Sequence, residues 1–232
     1  MGEDGDVDFI EAYFIQELKK WIEATRSGIT FGTLYSKPSP EHLYIDYSFD
    51  SNERINLNGT WTYTFDFGKS GNNRDFKNSK GFDGKIVVPF CPESKLSGVE
   101  YTDFINCMWY QRTISVPSEW EGKQVLLHFG AVDYEATMYI DGKEVMQHFG
   151  TGSSFEMNIT KYVPAGGSAN LVVRVVDNLR TGMQPGGKQC WNYYSGGCDY
   201  TRTTGIWQTV WMEPVSTQGL KNVFAIPDID QQ

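Results

Sequence analysis

The sequence predicts an all-β fold: a jelly-roll antiparallel β-sandwich, with an N-terminal amphipathic helix and an extended arm ahead of it. Three observations carry this. Apolar and polar residues alternate with period two in several short segments after residue 55, the pattern of strands with one buried face. Glycine, proline, asparagine and aspartate punctuate those segments at short intervals with no helical period between them, which favours an antiparallel arrangement over any α/β architecture. With 40% hydrophobic residues, 15% aromatics and 24 glycines, a chain of 232 residues has the bulk for a sizeable strand-rich core.

Taken in order, residues 7–26 place Phe14, Leu18, Trp21 and Ile22 at helical spacing, with Glu17, Lys19, Lys20 and Glu23 on the polar side. This helix could dock a partner or a further domain. Residues 27–54 mix Gly, Pro and Ser with Tyr35, Tyr44, Tyr47 and Phe49, the composition of an extended arm. From Leu57 the period becomes two: Trp61, Tyr63, Phe65 and Phe67 share one face, and Thr60, Thr62, Thr64 and Asp66 the wet one. Residues 68–84 read as an exposed loop, Ile86–Pro89 as a short strand, and Cys91–Cys107 as a long irregular connection.

Strands follow at Trp109–Val116 and Gln124–Phe129, then a hairpin in which Asp141-Gly142 supplies the positive φ angles of a type I′ turn. Phe155–Ile159 alternates. Asn170–Asp177 is nearly all valine, hence a central strand in which Arg174 needs a buried partner. Ile206, Val210 and Met212 alternate with Trp207, Thr209 and Trp211, which predicts a covered strand entered at Gly205. Leu220–Ile226 reads as one more strand. The expected division is helix and arm over 1–54, jelly-roll over 55–218, and the start of another domain over 219–232.

A net charge of −9 without a Lys or Arg run argues against nucleic-acid or anionic-membrane partners. No apolar run reaches the roughly 20 residues of a spanning helix, and the acidic N-terminus lacks the basic start of a signal peptide, so a cytoplasmic location is expected. Four cysteines, Cys91, Cys107, Cys190 and Cys198, form no CxxC pair. They read as free buried thiols, or as a Cys190–Cys198 bridge if the protein is exported, and neither a metal site nor a cofactor is expected. His128 alternates into a strand and reads as structural.

Chemistry concentrates in Arg180–Arg202. Sugars are held by aromatic faces against C–H patches and by carboxylates or amides against hydroxyls, and this stretch offers Trp191, Tyr193, Tyr194, Gln189, Asn192 and Asp199, with glycines at 186, 187, 196 and 197 to let it bend. A surface loop whose aromatics pack on the sandwich fits the same composition, and the residues leave both readings open.

The segments LNGTWTYTFD, VVPFCPES, WYQRTISVP, LLHFGAVDYEATMYIDGKEV, LVVRVVD and TGIWQTVWMEPV resemble the N-terminal sugar-binding domain of glycoside hydrolase family 2, the β-galactosidase and β-glucuronidase family, over residues 55–228. The resemblance implies a galactose-binding-domain-like jelly roll followed by an immunoglobulin-like domain, whose first strand VFAIPDID looks like, and then a TIM barrel. That barrel carries both catalytic glutamates of a retaining mechanism. It needs about 250 residues, so the chain is expected to be inactive by itself, with no catalytic residue of its own.

The resemblance also implies that Asp199, six positions before Gly205, contacts sugar hydroxyls at the barrel mouth, with Arg202 and Asp103 as further contacts. Trp191 and Tyr194 complete the expected substrate-binding set, for a β-galactoside or β-glucuronide. The expected function is a non-catalytic accessory domain of a retaining β-glycosidase. A free-standing carbohydrate-binding module, or a retired hydrolase domain serving as a scaffold, are the alternatives.

Overall fold

The apolar parities of the sequence become the facing surfaces of two sheets in a computed structural model that describes residues 54–217. In chain order the strands are β1 (Ile55–Asn56), β2 (Gly59–Phe65), β3 (Gly84–Val88), β4 (Cys107–Ser115), β5 (Gln124–Phe129), β6 (Val132–Asp133), β7 (Glu135–Ile140), β8 (Lys143–Phe149), β9 (Phe155–Asn158), β10 (Ser168–Val176), β11 (Gly205–Ile206) and β12 (Val210–Val215). A six-stranded sheet runs β3-β2-β4-β10-β7-β8, a four-stranded sheet runs β1-β12-β5-β9, and β11 pairs with β6 alone. All of these strand pairings are antiparallel. The helix predicted over residues 7–26, the arm up to residue 53 and the strand predicted over Leu220–Ile226 lie outside the described residues.

Between the sheets lie Trp61, Met108, Tyr110, Ile114, Leu171 and Val173 from the larger and Val125, Leu127, Phe129, Val210 and Met212 from the smaller, all buried in one cluster. Each such side chain contributes about 1.5–3 kcal/mol on burial, so this shared core dominates the stability of the sandwich. The Asp141-Gly142 turn joins β7 to β8 with φ of 46° and 75°, as the hairpin reading requires. Arg174 on β10 is half-buried and so is its partner, Glu135 at 3.6 Å, so the buried partner expected for it is not required; the Trp109 ring centroid lies at 6.0 Å.

Three expectations change. Period-two alternation puts Asp66 on a wet face, whereas the structure buries it. The chain turns at that point, and the carboxylate accepts hydrogen bonds from Ser70 N (2.8 Å), Gly71 N (2.8 Å) and Trp109 Nε1 (3.0 Å). Burial pushes the carboxyl up, but the donors of Trp109, Gly71 and Ser70 outweigh it and hold the group below its ordinary value.

Residues 68–84, read as an exposed loop, cover the outer face of the larger sheet. There Cys107, Trp109, Tyr139, Val172 and Val176 form a second buried cluster, and Phe76 and Phe82 pack onto it. The Phe76 ring meets Trp109 edge-on at 5.7 Å. A sheet apolar on both faces must be covered on both.

The strand expected from Ile206 to Met212 is split. β11 pairs with β6, the chain leaves the sheet over Trp207–Thr209, and β12 enters the smaller sheet between β1 and β5. Parity survives the break. Ile206, Val210 and Met212 are buried, while Trp207 donates Nε1 to the Thr151 carbonyl at 2.7 Å. Trp211 stacks on His128 at 4.7 Å, and Glu213 lies 3.0 Å from the imidazole, so His128 has a structural role.

Gly205 makes the entry possible. Its φ is +77°, and a Cβ there would run into the Tyr110 hydroxyl. Gly205→Ala is therefore expected to lower the unfolding free energy by about 2–4 kcal/mol. Gly68→Ala, where nothing lies within 4 Å of the added carbon, is expected to change it by less than about 0.5 kcal/mol. Urea unfolding of both variants checks the contrast.

Candidate functional site

The connection from β10 to β11, residues 177–204, contains one short 3₁₀ turn, Leu179–Thr181, and no named strand. Its backbone groups must find partners elsewhere. Near its tip the chain closes on itself: Cys190 N donates to the Tyr200 carbonyl and Tyr200 N to the Lys188 carbonyl, both at 2.8 Å. Residues 191–199 thus form a flap on a bonded stem.

The flap carries the predicted contact residues. Asp199, Trp191 and Tyr194 are exposed, Tyr194 at 83%, and Tyr193 meets Tyr194 edge-on at 4.8 Å. The Cys198 thiol lies 4.0 Å from Asp199 Oδ1, and an exposed carboxylate on the same flap as exposed aromatic faces is what recognition of vicinal hydroxyls and C–H patches needs.

Arg202 lies beneath the flap, buried. Its Nη1 donates to the Asn192 carbonyl at 2.7 Å, and its Nη2 donates to the carbonyls of Thr102 and Tyr193. Its guanidinium sits 4.3 Å from the Phe104 ring centroid, and Arg180 stacks on the same ring at 4.6 Å. The planar fork of arginine suits a cluster of carbonyls that lysine would not span. It ties residues 190–193 to residues 102–104 and so brings exposed Asp103 to the same end of the sandwich. Asp103 accepts from Phe104 N at 2.7 Å. Tyr101 lies close enough to Asp103 and Tyr193 for both, after burial, to push its phenol up.

The base of the connection holds residues that the sequence did not single out as a set. Glu93, from the irregular connection after β3, Asp133, at the end of β6, and Asp177, just after β10, are all buried. Each accepts hydrogen bonds from the connection above. Thr204 N donates to Glu93 Oε2 at 3.2 Å, Gln189 Nε2 to Asp133 Oδ2 at 2.7 Å, Gln184 Nε2 to Asp177 Oδ1 at 2.7 Å, and Thr204 Oγ1 to Asp177 Oδ2 at 2.9 Å.

Burial pushes Glu93 up to about 7, and burial together with the Asp177 carboxylate pushes Asp133 up to about 7. Asp177 is also raised by burial, against the hydrogen bonds of Gln184 and Thr204 and the charge of Arg202. The one visible signal was a carboxylate closing an apolar stretch, in VVRVVD and in AVD. Nothing in their spacing says that the three meet.

All four cysteines are free. Cys107 and Cys190 are buried and Cys91 partly so, but Cys198 is exposed, because the flap projects it away from the sandwich, and no Cys190–Cys198 bridge forms. Among the described residues no group of three or more His, Cys, Asp or Glu side chains is placed to hold a metal ion.

This geometry sits on a chain with clear relatives. The model of "Glycosyl hydrolases family 2, sugar binding domain" matches residues 54–212. The β-galactosidase of Thermoanaerobacter pseudethanolicus is 29% identical over 127 residues, covering 54% of this chain and 16% of that protein. The β-glucuronidase of Felis catus is 27% identical over 157 residues, covering 63% and 23%. That of Sus scrofa is 25% identical over 211 residues, covering 78% and 31%. The chain therefore spans less than a third of the length of these relatives.

Among solved structures, a β-glucuronidase from an uncultured Clostridium superposes with a TM-score of 0.57 at 22% identity over 72% of this chain and 30% of that one. A Ruminococcus gnavus β-glucuronidase in complex with D-glucuronic acid gives 0.54 at 20% identity over 70% and 30%. These likenesses establish the shared β-sandwich fold.

The clamp at Arg202 is open to test. Arg202→Ala is expected to lower the unfolding free energy by about 2–4 kcal/mol, since it strands several part-buried carbonyls and empties a buried side-chain position, and to speed proteolytic cleavage within residues 191–200. Urea unfolding with peptide mapping of a trypsin and chymotrypsin digest measures both.

Proposed function

We propose a function from the premise that this chain belongs to glycosyl hydrolases family 2, matched through that family's sugar-binding domain. It is a non-catalytic accessory unit of a retaining β-glycosidase of β-galactosidase or β-glucuronidase type, and it contributes to a substrate site that a catalytic barrel completes. A flap held rigid at its base and open at its tip supports this most directly. Asp199 and two aromatic faces are presented to solvent together, while Arg202 and Gln189 below them are bonded to the flap's carbonyls and to Asp133.

In this reading the Asp199 carboxylate accepts hydrogen bonds from adjacent sugar hydroxyls, and Trp191 and Tyr194 receive the apolar face of the ring. Asp103 flanks them. Arg202 contributes from beneath, by fixing the carbonyls that set the flap's position, and without touching the ring. Preorganisation matters here because sugar hydroxyls exchange water for protein at little net gain, so a mobile flap would lose the affinity to ordering entropy. The two carboxylates of retaining hydrolysis belong to the barrel.

Calorimetric titration of the chain with glucuronic acid and with galactose is expected to give weak binding, in the range of about 1 mM, for one of the two. Asp199→Ala is expected to abolish that heat while changing stability by less than about 0.5 kcal/mol, as for other exposed substitutions. The same preparation is expected not to hydrolyse nitrophenyl β-glucuronide or β-galactoside. Hydrolysis by the chain, or heat unchanged in the variant, would contradict the proposal.

A further inference from the structure

The three buried carboxylates do more than anchor. Two of them are half-used: Glu93 accepts through Oε2 and Asp133 through Oδ2, while Asp133 Oδ1 is buried with no hydrogen-bond partner and buried Glu93 Oε1 has none of normal geometry, the weak-donor Cys91 thiol being the polar neighbour of that carboxyl. Glu93 is 8% exposed and Asp133 2%. Asp177 differs, because both of its oxygens accept, from Gln184 Nε2 and Leu179 N on one side and from Thr204 Oγ1 on the other.

An acid proton on each unpartnered oxygen would cost none of the hydrogen bonds that hold the loop, since the other oxygen keeps its donor. An ionised carboxylate there would instead bury charge with one oxygen unsolvated. Burial raises Asp177 as well, but both of its oxygens accept hydrogen bonds and these, with the Arg202 charge, oppose the rise, which makes it the member best equipped to stay ionised.

The groups around the cluster offer no further counter-charge. Cys91 packs beside Glu93, and its thiol is pushed up to about 12 by burial and by the Glu93 carboxylate. Tyr110, from β4, and Tyr63, from β2, present phenols that burial keeps neutral. Arg202 is the cation that acts on the cluster, and its fork is committed to backbone carbonyls.

We propose that Glu93, Asp133 and Asp177 form a proton-dependent latch for the 178–204 connection: closed when Glu93 and Asp133 carry protons, and loosened when both ionise beside Asp177. Ionisation places like charges under Thr204 and Gln189. Lifting those two residues admits water to the charges and frees the flap.

The direction follows from linkage. In the closed form Glu93 and Asp133 hold their protons up to about 7, against ordinary values of 4.5 and 3.8. Opening therefore releases protons between the ordinary values and about 7. It becomes easier as pH rises across that window and levels off above it. Weaker sugar binding at the flap as pH rises is a consequence that rests on the proposed function. The latch itself does not.

Hydrogen–deuterium exchange of the chain, corrected for the intrinsic pH dependence of amide exchange and run without sugar, tests it. Protection of amides in 183–204 is expected to fall at least about tenfold between pH 5 and pH 7, by the proton linkage of the opening step, and to change little from pH 7 to pH 8. Amides of β4 and β10 are expected to keep their protection throughout. The double variant Glu93→Gln, Asp133→Asn, which fixes both groups neutral, is expected to show a flat profile.

Flap protection independent of pH, or the wild-type slope retained in the double variant, would overturn the latch. Should that variant not fold, carboxyl ¹³C titration of the unaltered chain decides the matter. Midpoints near 7 for Glu93 and Asp133 support the latch, and ordinary midpoints for both sink it. Because no sugar is present, failure here would leave the sugar-binding reading untouched, and absence of sugar binding would leave the latch untouched.

Discussion

A long connection without strands of its own must satisfy its backbone and polar groups through side chains, and the working end of this molecule depends on how it does so. The solution is to hang the connection on buried acids and one guanidinium. Carboxylates from three separate segments accept its hydrogen bonds from below, and one guanidinium gathers its carbonyls. Hydrogen bonds that involve a charged group, here Asp177 and Arg202, contribute about 1.5–3 kcal/mol each, so with the neutral ones at Glu93 and Asp133 they can hold what would otherwise be a floppy loop. The same choice confines ionisable groups in a dry place, and in the proposed latch the position of the flap becomes tied to their protonation.

The sandwich makes that arrangement affordable. β6, β10 and the connection after β3 all end near one another because the jelly-roll order brings distant strands to a common edge, and Tyr110, in the core, meets Gly205 where the connection returns to the sheet. The larger sheet buries both faces, one against the smaller sheet and one under residues 68–84, with Asp66 closing the turn that starts that cover. A framework packed on both sides resists the local shifts that would separate Glu93, Asp133 and Asp177.

Much of the framework was legible in the sequence because its cause is local. Alternation at Trp61 and Tyr63, the Asp141-Gly142 turn and the valine run of β10 each reflect a period or a backbone angle that neighbouring residues reveal. Asp66 was misread because parity continues formally past the end of a strand while the chain has already turned. The split after Ile206 was invisible for a related reason: Trp207, Gln208 and Thr209 contain neither glycine nor proline, and the apolar parity is kept on both sides of the break.

Asp199, Trp191 and Tyr194 are expected as sugar contacts from residue chemistry and family resemblance, and the structure places them on one exposed flap. Arg202 was expected among the sugar contacts, and the structure places its guanidinium on backbone carbonyls. The carboxylates below were legible only one at a time, since their meeting is a property of topology and of no short motif.

The central claim is that the flap is the sugar-facing surface, held in place from beneath. Its most direct test is a titration of isotopically labelled chain with glucuronic acid and with galactose, followed by backbone amide chemical shifts. Shifts concentrated in residues 191–200 and 102–104 are the predicted result. Shifts centred on the outer face of the smaller sheet, around His128 and Trp211, or none at saturating millimolar sugar, would contradict it.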